Sequence, residues 1–444
     1  MKQGDGCPLE LKEDMGKRKK SKRRTGFAAL LLVLSLAGTG CGDGRQAKDP
    51  AQTSQVERTE AESKKGALSF GYFYGEDGIV VSSRDHFMYS DWEPVEFDYI
   101  CMDPTCSHLN ESCSARTIQD EASALRDFCM VFQDRLIILH AYTQFVTNES
   151  SETILDTSTV YQTDVYEADP DGSNRRKKAT FSGAIASPIM SHAAVLADGK
   201  LYFGGAAEVR NRTEQDVQSG EPTNESWISD AIYCLDLNAY TLETFAVTEK
   251  REGLGYQYQF YEYGGMIYGI ISSFQEDSAV WYRIDPGLGG CEEILRFDSD
   301  VARFEGAIGD TVYYYYDNSG KTLYARDIAA GTKEREIITV TGEDMSLITF
   351  IFDGQILFMT DCSMEGEDCM TEYAVLDRNG KVLDTIRYDD YITFLDVVGD
   401  KLIYYRTFAD CDEWWADKED LADLTEKGVP IGPFYGPRLD TLGD

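Results

Sequence analysis

The sequence predicts an all-β fold, a β-propeller of about seven four-stranded blades, with six or eight also compatible. Three observations predict it. The composition favours strands and turns, with 27 Tyr, 21 Phe and 39 Gly against 11 Pro and 5 Trp. One short pattern, a strand, a Gly or Asp turn and an aromatic-rich strand, recurs seven times, around Gly78, Asp134, Gly199, Gly265, Gly309, Gly354 and Gly399. The last four turn glycines stand 44 or 45 residues apart, the period of a four-stranded blade. A ring of repeats thereby absorbs 444 residues that ordinary domain sizes would split into two or three domains.

Taken in order, the chain opens on a leader. Residues 1–40 carry nine Lys or Arg against four Asp or Glu. The basic run Lys17–Arg24 precedes a ten-residue apolar stretch, Phe27–Leu36, broken only by Ser35, then small residues up to Cys41. Ten residues are too few to span a bilayer and match a signal-peptide core. The arrangement resembles a bacterial lipoprotein signal, in which Cys41 would be lipidated and become the mature N-terminus. Gly38 departs from the Leu usual at that place, and a plain secretory signal or an uncleaved anchor is the competing reading. Met15 is a possible true start. Residues 41–66 are polar with almost no large apolar side chain, which predicts a disordered tether able to reach about 80 Å when stretched. The propeller is expected over 67–433, with a tail over 434–444.

Within the repeats, the second half of most units supplies another strand, turn and strand. Examples are Ile232–Val247, Val280–Phe297, Leu323–Val340 and Tyr373–Tyr388. Four antiparallel strands per unit, stacked face to face, bury both sheet faces and leave short edges. The hairpin Gly399–Tyr405 (GDKLIYY) and the element Tyr166–Asp169 resemble TolB-like and low-density-lipoprotein-receptor-type propellers of bacterial lipoproteins. That resemblance covers most of the mature chain and implies a fold, since propellers host binding, scaffolding and catalysis alike.

Two intervals between turns run to 65 and 66 residues. Their excess lies in Gln144–Val160 and Ala206–Asp230, between second and third strands. With the acidic segment Asp410–Asp423 they are expected on one elaborated face, where a rigid scaffold usually carries its function. Trp414 and Trp415 in that segment are candidate ligand-binding side chains, or else cover the ring closure.

The densest chemistry is Cys101–Cys113 (CMDPTCSHLNESC). Cys101, Cys106, His108 and Cys113 match the ligand set of a Cys3His structural zinc site, although the spacing is not that of a standard zinc finger. The run also resembles a cysteine motif found just after the first blade of lipoprotein propellers. Disulfides are the competing reading in an exported chain. Apart from Cys7 and Cys41, nine cysteines remain, an odd number, and Cys362 with Cys369 is the expected local bridge. Cys234, within a strand pattern, is expected as a buried thiol.

Catalytic signatures are few. No G-x-S-x-G elbow and no H-E-x-x-H helix occurs. Gly320-Lys321-Thr322 has Tyr315 where a phosphate loop needs glycine, and Asp169–Gly172 reads as a turn instead of a calcium loop. A net charge of -36, becoming -41 once the leader is removed, excludes nucleic acid as a partner. The expectation is a membrane-anchored, extracytoplasmic binding or scaffold module for an envelope glycan, peptide or protein. The alternative is a carbohydrate-active enzyme using carboxylates of the propeller face.

Overall fold

The computed structural model describes residues within 66–431, leaving out 149–155, 183–191, 211–226, 341–347 and several shorter loop segments. The leader with Cys41, the tether up to residue 65 and the C-terminal tail lie outside the described residues.

Seven antiparallel blades follow one another in sequence. Their innermost strands are Tyr72–Gly75, Phe128–Phe132, Ala194–Ala197, Tyr256–Tyr263, Ala302–Ile308, Thr349–Phe352 and Ile392–Val398. Each leads through a tight turn into the second strand, and these seven turns are the seven the sequence marks. The reason is local. Gln133-Asp134, Asp198-Gly199, Gly264-Gly265 and Asp353-Gly354 all hold positive φ at both positions, as a twist-matched two-residue hairpin requires.

Burial falls from the axis outwards. Gly78–Ser82 and Ala194–Ala197 are buried throughout, while the outermost strands Gly290–Phe297 and Val382–Tyr388 are mostly exposed. The core lies between blades, in apolar clusters that each draw on neighbouring sheets. Tyrosine suits these seams because its ring fills the apolar layer and its hydroxyl reaches across. Tyr313 donates to the Arg378 carbonyl at 2.8 Å, joining blades five and six, and Tyr240 donates to Glu167, joining blades three and two.

The last blade departs from the pattern. After Lys401–Arg406 come Asp412–Asp417, a 3-10 turn over Lys418–Asp423, one helical turn Leu424–Lys427 and a short fourth strand, Val429–Ile431. The acidic segment expected as a face loop is therefore divided between the third strand of blade seven, Asp412–Asp417, and the 3-10 turn Lys418–Asp423. That turn lies at the pole of the tight turns, where Lys418 Nζ meets Asp353 at 2.9 Å. The ring closes by packing: Ala67, Tyr72, Tyr74 and Trp92 meet Val398, Ile403, Trp415 and Ile431 in one cluster.

The two long intervals are also not loops at their base. In blade two, Arg135–Asn148 and Asp156–Ala168 stay paired out to Asn148 opposite Asp156. In blade three, Lys200–Arg210 and Trp227–Asp236 stay paired out to Arg210 opposite Trp227. The described parts of both excess segments thus prolong their blades as two-stranded ribbons, in keeping with the β-branched and aromatic residues of Phe145–Thr147 and Thr157–Tyr161.

Among the described residues three short strands lie outside the four-stranded pattern: Ser123–Ala124 beside blade two, Arg251–Glu252 beside blade three, and Gly66–Ser69 on the axis. Gly66–Ser69 pairs antiparallel with the innermost strands of both blade one and blade three, covering their inner edges along the axis.

Candidate functional site

The cysteine loop follows Asp98–Tyr99, the short outer strand of blade one. Two side-chain-supported turns shape it. Asp103 Oδ1 accepts from the Thr105 amide at 2.8 Å and its hydroxyl at 2.7 Å, bringing the Cys106 amide to the Asp103 carbonyl at 3.1 Å. Asn110 repeats the device, its carbonyl accepting from the Cys113 amide at 3.2 Å. His108 has a left-handed backbone, φ 59°, and its ring stacks on Tyr99 with centroids 4.4 Å apart. The loop then returns along blade one, with the Phe87 amide donating to the Ala115 carbonyl at 2.7 Å.

Blade two supplies the other wall. Arg175 donates to the carbonyls of Ser114 and Arg116, and Ser114 Oγ donates to the Asp171 carbonyl at 2.6 Å. Gly172, φ 76°, lies so close that a Cβ there would stand 2.1 Å from the Ser114 carbonyl oxygen. The segment Asp169–Gly172 is the turn the sequence predicts, and its task is to seat this loop. It joins the third and fourth strands, so the loop lies along the outer rim between blades one and two, reaching beyond the pole of the ribbons.

Cys101, Cys106, His108 and Cys113 converge, with one ligand atom from each lying within 4.8 Å of all the others. His108 Nδ1 stands 3.4 Å from Cys113 Sγ. Zinc bonds of about 2.1–2.3 Å at a tetrahedral angle place neighbouring ligand atoms roughly 3.5–3.8 Å apart, so the donor set and its spacing fit. The thiols differ electrostatically. Burial pushes Cys113 up to about 11, whereas at Cys101 burial is outweighed by the sum of interactions with Ser114, the Asp103 backbone and the Cys106 and Cys113 thiols, which lower it. All three are free thiols, and one disulfide among them would strand the third beside an imidazole.

The remaining candidates lie apart from this loop. Cys362 and Cys369 are free thiols here, on paired strands whose register sets them opposite Thr371 and Met364. Cys234 is the buried thiol the strand pattern predicts. Trp415 is buried in the ring seam, edge-on to Trp92, while Trp414 on the other sheet face is half-buried with the Arg406 guanidinium 4.7 Å from its ring centroid.

A second concentration of polar groups lies on the axis, where a cavity of about 620 Å³ is walled by Gly66–Ala67 and the inner strands of blades three to seven. Two bulges shape its wall. In blade five, Phe304 pairs with Tyr314 and Gly306 with Tyr313, leaving Glu305 as the extra residue. In blade seven, Leu395 is the extra residue, and Asp396 follows it. Thr349 Oγ1 donates to Glu305, and burial pushes the Glu305 carboxyl up to about 7. Asp396 Oδ1 accepts from the Val397 amide at 2.8 Å. Its buried Oδ2 lies 3.4 Å from His192 Nδ1 without hydrogen-bond alignment. His192, at φ 53°, lies against the Tyr261 ring with centroids 4.3 Å apart. No sequence motif marks His192 or the two carboxylates. Their signal was a lone acid inside an apolar inner strand, Glu305 in ARFEGAI and Asp396 in ITFLDVV.

The sequence matches no protein-family model and no curated protein. Solved structures resemble it at low identity. A prolyl endopeptidase from a study of inter-domain dynamics in two such enzymes aligns with TM-score 0.45 and 11% identity over 84% of this chain and 49% of its own, so this chain spans about half that protein's length. The β-propeller domain of the Trilobed protease from Pyrococcus furiosus aligns with TM-score 0.36 and 9% identity, over 71% and 85%. TolB from Acinetobacter baumannii aligns with TM-score 0.27 and 11% identity, over 72% and 62%. These likenesses carry no functional assignment, and the propeller rests on the sheet topology itself. No helix among the described residues is long and apolar enough to cross a membrane.

Proposed function

We propose that the chain is a lipid-anchored, extracytoplasmic binding module that presents one pole of its propeller to a protein or glycan of the cell envelope. The observation that carries this reading is the pair of ribbons, Arg135–Asn148 with Asp156–Ala168 and Lys200–Arg210 with Trp227–Asp236, which prolong adjacent blades on the same pole. Paired ribbons on a rigid ring hold a recognition surface at low entropic cost. Trp414 would add an aromatic contact. Anchoring rests on the lipoprotein-type signal, with Cys41 as the modified residue, and the negative charge of the mature body leaves attachment to the lipid. Zinc at Cys101, Cys106, His108 and Cys113 would be structural, pinning the rim between blades one and two.

Partner capture from envelope extracts tests the recognition surface. Trimming residues 206–230 to a two-residue turn is expected to abolish capture, and unchanged capture rejects this pole as the surface. Cys41→Ser is expected to move the protein out of the membrane fraction. A second reading, a carbohydrate-active enzyme, draws on Glu305, whose raised value suits a general acid. Turnover in a glycan panel that is lost in Glu305→Gln would favour it.

A further inference from the structure

We propose that the axial cavity is a binding site for a small organic cation, an amine-bearing molecule held between Asp396 and Glu305. This site is separate from the ribbon pole and does not depend on the recognition role given to it.

The lining is acidic in a way its own bases do not offset. Glu262, Glu305, Asp353 and Asp396 face Lys418 and His192. Lys418 is committed to Asp353 at 2.9 Å, at the turn end of the cavity. Glu262 Oε1 is used by the Gly265 amide at 2.7 Å. That leaves the two carboxylates on the bulged strands, and Asp396 Oδ2 is buried without a hydrogen bond, its nearest base being His192 Nδ1 at 3.4 Å. Bulges re-aim side chains and recur beside ligand sites, and here two non-adjacent blades carry them at the carboxylates or next to them.

Aromatic rings complete the wall. Tyr261 lies 5.0 Å from Phe304, and Phe350 stacks on Phe394 at 5.2 Å. Carboxylates backed by ring faces attract ammonium groups by charge and by cation–π contact. A cavity of about 620 Å³ lies in the range for small molecules and far exceeds one ion. The net charge of -36 repels anions from its mouth and concentrates cations there.

Glu305 also supplies a distinctive readout. Thr349 hydrogen-bonds it, Arg303 on its own strand attracts it, and Tyr261 and Tyr263 each lie within the influence of both Glu305 and Asp396. A cation seated beside it would draw off its proton near neutral pH, and that proton would pass to buffer.

Calorimetric titration of the full chain with spermidine tests this. The expected result is one saturable site, with a heat that changes with the ionisation enthalpy of the buffer at pH 6.5–7. Asp396→Asn is expected to weaken binding at least tenfold, and Glu305→Gln to remove the buffer dependence. Equal binding by both variants would mean diffuse attraction to the acidic surface and would overturn the proposal. So would equal binding of 1,7-heptanediol, or complete displacement of spermidine by equimolar magnesium. Should either variant fail to fold, the wild type alone decides, because binding without proton release also rejects it.

Discussion

Trp415 stands edge-on to Trp92, with ring centroids 5.3 Å apart and planes at 65°, so a side chain near the end of the chain closes the ring against one near its beginning. Tyr74 reinforces the seam by donating to Glu413 at 2.5 Å, one strand position pair away from Trp415. Closure therefore depends on side-chain packing between blades seven and one.

Trp415→Ala is expected to destabilise the protein by about 3–5 kcal/mol, the cost of emptying a large buried aromatic site. Tyr74→Phe should cost less, about 1–3 kcal/mol, by removing a donor from a buried carboxyl. Denaturant unfolding followed by tryptophan fluorescence measures both, and equal midpoints for Trp415→Ala and wild type would contradict a packed seam.

At the rim, reduced protein is expected to hold one zinc per chain by elemental analysis, and chelation should lower the melting temperature. Cys106→Ser should lose the metal. Gly172→Ala should weaken it as well without touching a ligand, because its Cβ would displace the Ser114 carbonyl on which the loop rests. Metal retention by Gly172→Ala at wild-type affinity would separate the turn from the site.

Glu305 gives a pH dependence of definite sign. Its value of about 7 in the ring exceeds the ordinary 4.5, so the folded state holds the proton more tightly. Stability should fall as pH rises from 4.5 to 7, by at most about 3 kcal/mol, since the carboxyl still opens towards the channel. Urea midpoints across this range should flatten in Glu305→Gln.

Glu167 behaves in the opposite sense. The Tyr240 hydroxyl and Lys178, then Arg135, hold it down to about 2, so its contribution is present above 4.5 and lost as pH falls towards 2. The group remains partly exposed, and solvent screening limits the effect to about 1 kcal/mol. Glu167→Gln should remove that part of the acid-side decline, read from thermal melts between pH 5 and 2.5.

Turn chemistry made the fold legible. Each tight hairpin needs left-handed residues, and Gly199, Gly265 and Gly354 announce theirs directly. The cysteine loop was legible because its ligands are local, within 13 residues. Other features depend on register and distant partners. Trp414 and Trp415 read as loop residues because a 3-10 turn replaces the last hairpin, and only strand pairing sends one of them into the seam. The axial acids lie on strands about 90 residues apart, brought together by ring closure and set by bulges that no composition signals.

The direction of the axial strand has a consequence for polarity. Gly66 lies opposite Gly75, beside the first tight turn, and Ser69 lies opposite Tyr72 at the far end. Whatever precedes Gly66 is thus handed to the ring at the pole opposite the ribbons. Under the lipid anchoring proposed above, a leash attached there would work like the cord of a plug, pointing the ribbons outwards and turning the short-turn mouth of the channel towards the surface that holds it. Orientation would then follow from chain direction, with no second contact to the membrane required.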